Sequence, residues 1–351
     1  MLKKENDMLK NEAKMMKVGN LQSESVEVAN GKEIDGCSVE VANGKETEGC
    51  SLVSNIVGGS FRFGALTPPF DGVNIGDDVS TCLTKWNITD KVTSFTLDNA
   101  TYNNVMIVEI KRQLLRSGSN LLFDGQFFQI RCRCHIINLI VQAGLKLLDG
   151  VVDKIRAIGK HFEHSIPNKK QFYEVAQQIY HLDGNKRLRG DCCVRWNSTY
   201  LMLDRALYFR RPIDHVIEKD KDLMQHILSN EEWAKVSTIH GFLKTFYDIT
   251  TEFSASKTPT SNVYFKGVWE IQCSLSEVEN GEHEYLANMV KLMQKKFDKY
   301  WNRYNLLFSC ACILDPRYKM KFVEYCFTTL YGELYAKEKT KEVLKTLTTL
   351  L

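Results

Sequence analysis

Three short stretches of this chain hold side chains whose types and spacing could do chemistry. Asp98 closes the β-type run Val92-Thr93-Ser94-Phe95-Thr96-Leu97 and is followed by Asn99-Ala100 and a helical pattern from Asn103 to Arg116. This puts a lone carboxylate at the C-terminal end of a strand, where α/β sheets keep their chemistry. The same position would also suit an aspartate that caps the following helix. Cys132-x-x-His135, with Cys134 between, could supply two zinc ligands. A closed tetrahedron needs two more, and His161, His164, Cys192 and Cys193 follow no zinc-finger spacing, so the expected role is a buried thiol and a histidine at a strand-to-helix junction. Cys134 and His135 are neighbours whose side chains point apart, a poor geometry for a thiol and its base. Arg195-Trp196-Asn197-Ser198-Thr199 sets a guanidinium suited to a phosphate beside an indole. Its structural alternative is a core tryptophan with Asn197 or Ser198 capping the next helix. No glycine-rich phosphate loop occurs.

The elements that must position these residues alternate. A strand is expected around Ile56-Val57 and Ser60-Phe61-Arg62-Phe63, then the break Thr67-Pro68-Pro69 and a helix from Asp77 to Trp86. The strand ending at Asp98, its helix, a third strand from Phe127 to Cys132 and a helix opening near His135 complete a β-α-β-α-β-α order, which argues for an α/β sheet layered with helices. Beyond about Leu148 helical periodicity takes over. Leu286, Met289, Val290, Met293, Phe297, Tyr300, Trp301 and Tyr304 fall on one helical stripe, with Lys291, Lys295, Lys296 and Lys299 off it as the solvent face.

The first 55 residues differ in kind. The chain writes SVEVANGKEIDGC over 25–37 and SVEVANGKETEGC over 38–50, and this leader carries more acids than bases. Two copies of so short a unit cannot stack as a solenoid, so a disordered acidic leader with a recent tandem duplication is expected over 1–55. The whole chain, 351 residues at 44% hydrophobic content, is long enough for one large core or two smaller ones. Eleven cysteines without a secretory h-region or a regular framework spacing point to a reducing compartment. No stretch reaches the roughly 18 apolar residues of a membrane span. The net charge of +3 does not by itself announce a nucleic-acid binder, but bases gather at Lys111-Arg112, Arg131/Arg133, Lys169-Lys170, Lys186-Arg187-Arg189, Arg210-Arg211 and Lys295-Lys296.

The strand ending at Asp98, the segment Arg131-Cys132-Arg133-Cys134-His135-Ile136-Ile137-Asn138-Leu139 and the segment Arg195 to Tyr200 occur in an order and spacing that resemble the hAT superfamily of DNA transposases. Within it the likeness is to plant transposase-derived proteins of the RICESLEEPER and DAYSLEEPER type. It runs from about Gly58 to about Gly332 and includes Leu121-Leu122-Phe123-Asp124-Gly125, Ser229-Asn230-Glu231-Glu232-Trp233, Pro259-Thr260-Ser261-Asn262, Lys296-Phe297-Asp298-Lys299-Tyr300-Trp301 and Leu314-Asp315-Pro316-Arg317. Each alone is common, and together in order they are specific.

The resemblance implies an RNase H-like α/β core interrupted by a large all-α insertion, and a chemistry of DNA cutting by three acids and divalent metal. Asp98 stands where the family has its second acid. The first would lie on a strand upstream of Ile56, where this chain has its duplicated leader, and the third beyond Leu351. Asp71, Asp77, Asp124 and Asp315 match no catalytic position. The expectation is therefore an incomplete RNase H-like core over 56–150, a helical insertion over 151–282 and a C-terminal RNase H-fold segment over 283–351. The chain would be truncated at both ends, lack the family's zinc-binding BED finger and dimerisation tail, and carry a vestigial Asp98, with no cofactor of its own although intact relatives use Mg²⁺. Trp196 matches a family tryptophan implicated in handling a flipped base, where an indole stacks at about 1–3 kcal/mol. Arg195, Trp196, Arg131, Arg133, Lys295, Lys296 and Lys299 are the expected DNA contacts, Cys132 and His135 structural residues. The expected protein is nuclear, non-enzymatic and weakly specific for DNA, with self-association possible through an exposed sheet edge. A protein-interaction remnant with no DNA role is the alternative.

Overall fold

The computed structural model describes residues 25–28, 37–41, 62–63, 71–192, 194–255, 260–279, 281 and 283–350. The chain divides into two compact units, one made of 1–135, 252–266 and 304–351, the other of 136–251 and 267–303. The helical segment expected over 151–282 thus differs in its limits: the second unit opens at 136, omits 252–266 and runs on to 303.

The first unit holds a five-stranded sheet in the order β3-β1-β2-β4-β5, with β1 Ser25–Val28, β2 Cys37–Val41, β3 Arg62–Phe63, β4 Val92–Leu97 and β5 Gln129–Arg131. β4 and β5 run parallel, Thr96 opposite Ile130, while β2 lies antiparallel along the other side of β4 with Val39 opposite Phe95. β4 matches the expected run residue for residue. It is buried nearly throughout, as a strand enclosed on both faces should be. The leader differs from expectation at two places, because each copy of the duplication supplies a strand, β1 from the first and β2 chiefly from the second. The side of β4 away from β5 is occupied by β2, and the outer strands are β3 and β5, two and three residues long. Ile56, Val57, Ser60 and Phe61 lie outside the described residues, as does the rest of the leader.

Two helices flank this sheet, α1 Gly72–Lys85 and α2 Thr101–Arg116. α1 starts five residues earlier than the pattern predicts because Asp71 is a side-chain cap, accepting from Val73 N at 3.0 Å and Asn74 N at 2.9 Å. The helices approach closely at Gly72, where a Cβ would sit 2.6 Å from Val105 Cβ. Ile75, Val79 and Leu83 of α1, Met106, Ile107, Ile110 and Leu114 of α2, Phe95 and Leu97 of β4, and Phe128 before β5 form one buried cluster. Phe95 and Phe128 meet edge to face at 5.2 Å. The unit is completed by the C-terminal helices α11 Lys319–Tyr331 and α12 Glu333–Leu350, which pack on each other.

The second unit is helical. It draws on α3 Arg133–Leu145 from Ile136 onward, α4 Asp149–His164, α5 Ile166–Gln178, α6 Trp196–Tyr208, α7 Arg210–Ile217, α8 Asn230–Phe253, α9 Ser261–Glu279 and α10 Glu284–Leu314. Six of the eight stripe residues on α10, Leu286, Met289, Val290, Met293, Phe297 and Trp301, are buried, Tyr300 is half-buried, the side chain of Tyr304 lies outside what is described, and Lys291, Lys295, Lys296 and Lys299 are exposed. An aromatic core of Phe162, Phe172 and Phe209 joins α4, α5 and the end of α6, with Phe162 stacked on Phe172 at 4.5 Å. No single helix among the described residues is long and apolar enough to cross a membrane.

Candidate functional site

The carboxylate expected to do chemistry lies at the C-terminal end of β4, just past its last hydrogen-bonded residue. Asp98 Oδ1 accepts from Ala100 N at 2.9 Å and from Asn103 Nδ2 at 2.6 Å. Ala100, the residue before α2, has no side chain to cap the helix, so Asp98 closes the turn in its place. Asn103 is buried, which fixes the carboxylate from the helix side. From β5, Arg131 reaches across the same turn and donates to Asp98 O at 3.3 Å and to Asn104 Oδ1 at 2.8 Å; Gln129 Nε2 also donates to Asn104 Oδ1, at 3.1 Å. The end of the parallel pair is thus a small polar network of one acid, two asparagines, one glutamine and one arginine.

Other acids of the first unit have separate partners. Asp71 caps α1, Asp77 accepts from Gln113, and Glu109 is paired with Arg112 three residues on. Asp315, in the turn after α10, accepts from the Arg317 guanidinium at 2.7 and 3.2 Å to Oδ2 and 3.0 Å to Oδ1, and from Asn262 Nδ2 at 2.8 Å. The Arg317 hydrogen bonds hold its carboxyl down at about 2. Among the described residues no three His, Cys, Asp or Glu side chains group to hold a metal ion. The described residues therefore offer no set that fits a pair of divalent ions, which needs several convergent carboxylates.

At the β5 to α3 junction Cys132 N donates to Leu97 O at 2.6 Å, which extends the β4–β5 pairing by one residue. Burial pushes the Cys132 thiol up to about 11, although the N–H groups of His135 and Cys134 face its sulfur from the start of α3 and pull the other way. Burial raises Cys134 as well, whose sulfur lies 3.3 Å from Ser254 Oγ. Burial thus disfavours the thiolate form of both side chains.

Arg133, expected on the DNA side, is instead 6% exposed. Its guanidinium lies over the rings of Phe308 at 4.1 Å and Tyr264 at 4.9 Å and donates to Ser261 Oγ at 3.1 Å and Thr260 Oγ1 at 3.4 Å. Two residues apart, Arg131 and Arg133 would share a face if the strand continued; β5 ends at Arg131 and α3 begins at Arg133, and this change of backbone period turns Arg133 inward while Arg131 stays with the open turn.

In the helical unit Trp196 is the first residue of α6 and 2% exposed, which is the core position weighed above rather than a surface ready to stack on a base. Its backbone is tied to α3: Trp196 N donates to Asn138 Oδ1 at 3.1 Å, and Asn138 Nδ2 donates to Val194 O at 3.2 Å. Ser198 Oγ and Thr199 Oγ1 donate to Asp191 at 2.7 and 2.9 Å, and Arg156 of α4 pairs with the same carboxylate. Asn138 and Asp191 were not singled out from sequence, though both lie inside or four residues before motifs that were. Arg195 itself is exposed at the mouth of this network. In the loop before it, Lys186 lies over Tyr208 at 4.0 Å and Arg187 over Tyr173 at 4.6 Å, so aromatic faces hold two cations at the surface.

Three family descriptions match in succession: ZBED1 RNase-like domain over residues 61–127, ZBED1 RNase-like helical domain over 130–242, and hAT-like transposase, RNase-H fold, over 262–351. Zinc finger BED domain-containing protein RICESLEEPER 2 of Oryza sativa subsp. japonica is 34% identical over 276 residues, 79% of this chain and 38% of that protein. Putative AC transposase of Zea mays is 34% identical over 265 residues, covering 75% of this chain and 33% of its own length. Zinc finger BED domain-containing protein DAYSLEEPER of Arabidopsis thaliana is 29% identical over 255 residues, 73% of this chain and 36% of that protein. The chain spans less than two fifths of the length of these relatives.

Proposed function

Starting from the chain's membership of the hAT-like transposase family, we propose that it is a transposase-derived nuclear protein that grips DNA by its phosphates and does not cut it. The observation that carries the reading is the condition of Asp98. Its Oδ1 is engaged by Ala100 N and Asn103 Nδ2, and no grouping of acids stands with it among the described residues. A lone carboxylate that closes the turn ahead of a helix cannot hold two metal ions, so no Mg²⁺-dependent step is assigned to this chain. The helical unit, on this reading, corresponds to an insertion in the RNase H-type core.

DNA contact falls to exposed cations on helices rather than to base-reading groups. Lys295, Lys296 and Lys299 share the solvent side of α10, and Arg195 opens α6. Arg131 is half-buried and steadies the Asp98 turn, and Arg133 and Trp196 support the fold from inside. Contacts of this kind neutralise phosphates and carry little sequence information. Filter binding of a duplex against salt tests the reading: log K should fall steeply and linearly with log salt. No retention at low salt would remove it.

A second reading, a protein-interaction module with no DNA role, is favoured by the outer face of α2. Val108 and Leu115 stand exposed there, at 66 and 59%. Absence of DNA binding in the same titration would leave this reading standing.

A further inference from the structure

The tandem duplication finds a use in the sheet. Residues 25–33 and 38–46 are identical, SVEVANGKE in both, and the SVEV portion of each copy is strand. The second copy lies beside β4, with Ser38 opposite Thr96, Val39 opposite Phe95, Glu40 opposite Ser94 and Val41 opposite Val92. The first copy lies antiparallel on the second, Ser25 opposite Ser38, and parallel to β3.

Exchange of the two copies reproduces the same sheet. If the first copy lay beside β4 in the register now held by the second, Ser25 would face Thr96 and Val26 would face Phe95. The second copy, antiparallel to it, would then lie parallel to β3 as the first does now. Every residue presented to β4 over those four positions would be the same type with the same alternation, so neither hydrogen bonding nor face separates the two states. What differs is the length of chain to β4, 50 residues between Val41 and Val92 against 63 between Val28 and Val92. Loop-closure statistics, which scale as the three-halves power of length, favour the second copy by only about 1.4-fold.

We infer that the strand position beside β4 is shared between the two copies of the duplicated segment, each filling it in a comparable fraction of molecules. The duplication then makes the sheet tolerant of damage to either copy, because the intact one moves into place. This inference does not depend on DNA binding.

Disulfide trapping tests it in the full chain with Cys37→Ser and Cys50→Ser as background. The pair Thr96→Cys with Ser38→Cys reports the second copy beside β4, and Thr96→Cys with Ser25→Cys reports the first. Both pairs should cross-link within one chain, with yields within about twofold of each other. Cross-linking of the Ser38→Cys pair alone, or only between chains, would overturn the inference. Amide exchange gives an independent readout. Val39→Pro should leave protected those β4 amides that point toward the shared position, because the first copy replaces the damaged strand, whereas Val26→Pro with Val39→Pro together should release them and leave the amides bonded toward β5 protected. Loss of protection with Val39→Pro alone would count equally against it.

Discussion

Asp98 and Asp315 are both acids at the ends of elements, and their partners decide what each can do. Asp98 accepts from a backbone N–H and a buried asparagine, so its contribution is to the start of α2. Asp98→Ala should cost about 1–2 kcal/mol in denaturant unfolding, the usual loss for a side chain that satisfies a helix start; unchanged stability would mean that the carboxylate is held for something else. Asp315 is the stronger case. Its carboxyl is held at about 2, from an ordinary 3.8, chiefly by hydrogen bonds from Arg317. A depressed folded-state value stabilises above the unfolded one and loses that contribution as pH falls through the folded one. The stability gap between the native protein and Asp315→Asn should therefore be full above about pH 4 and close as pH drops to about 2. A gap that persists at pH 2 would contradict the assignment.

At the scale of elements, α1 and α2 are locked by small residues at their crossing. A Cβ at residue 72 would meet Val105 Cβ at 2.6 Å. Gly72→Ala should consequently destabilise the first unit by about 1–3 kcal/mol, the range for overpacking, read as a lowered unfolding midpoint. β4, the helix after Asp98 and the stripe of α10 were legible in the sequence because each carries its own period, two for the strand and 3.6 for the helix. What was not legible depended on distant partners. β1 and β2 are short and lie in an acidic stretch rich in glycine; β2 exists as a strand by pairing with β4 more than fifty residues away, and β1 by pairing with β2 and β3. Composition alone argued for disorder there. Arg133 stands beside two cysteines and a histidine in a motif that suggests the surface, and its burial is set by Thr260, Tyr264 and Phe308, over a hundred residues downstream. Trp196 was readable in both senses, and the exposure of 2% decides for the core.

For the molecule as a whole, net charge of +3 is small, so any hold on DNA must come from local placement of cations rather than from overall attraction. The triple change Lys295→Ala, Lys296→Ala, Lys299→Ala removes three exposed charges from one helix without touching its buried side. It should lower the salt slope of DNA binding by up to about 3 and weaken binding to unrelated duplexes alike. A loss confined to one sequence would point to base reading instead. The family's chemistry enters here as a contrast: relatives matched over most of this chain include a protein described as a putative AC transposase, while the described acids of this chain offer no convergent set around Asp98.

Binding and cutting separate most directly on a single supercoiled plasmid incubated with the full chain and Mg²⁺ at low salt. The account predicts a retarded plasmid that, after the protein is stripped off, is still supercoiled and identical to the starting DNA. Nicked or linear product that requires Mg²⁺ and disappears with Asp98→Asn would contradict it.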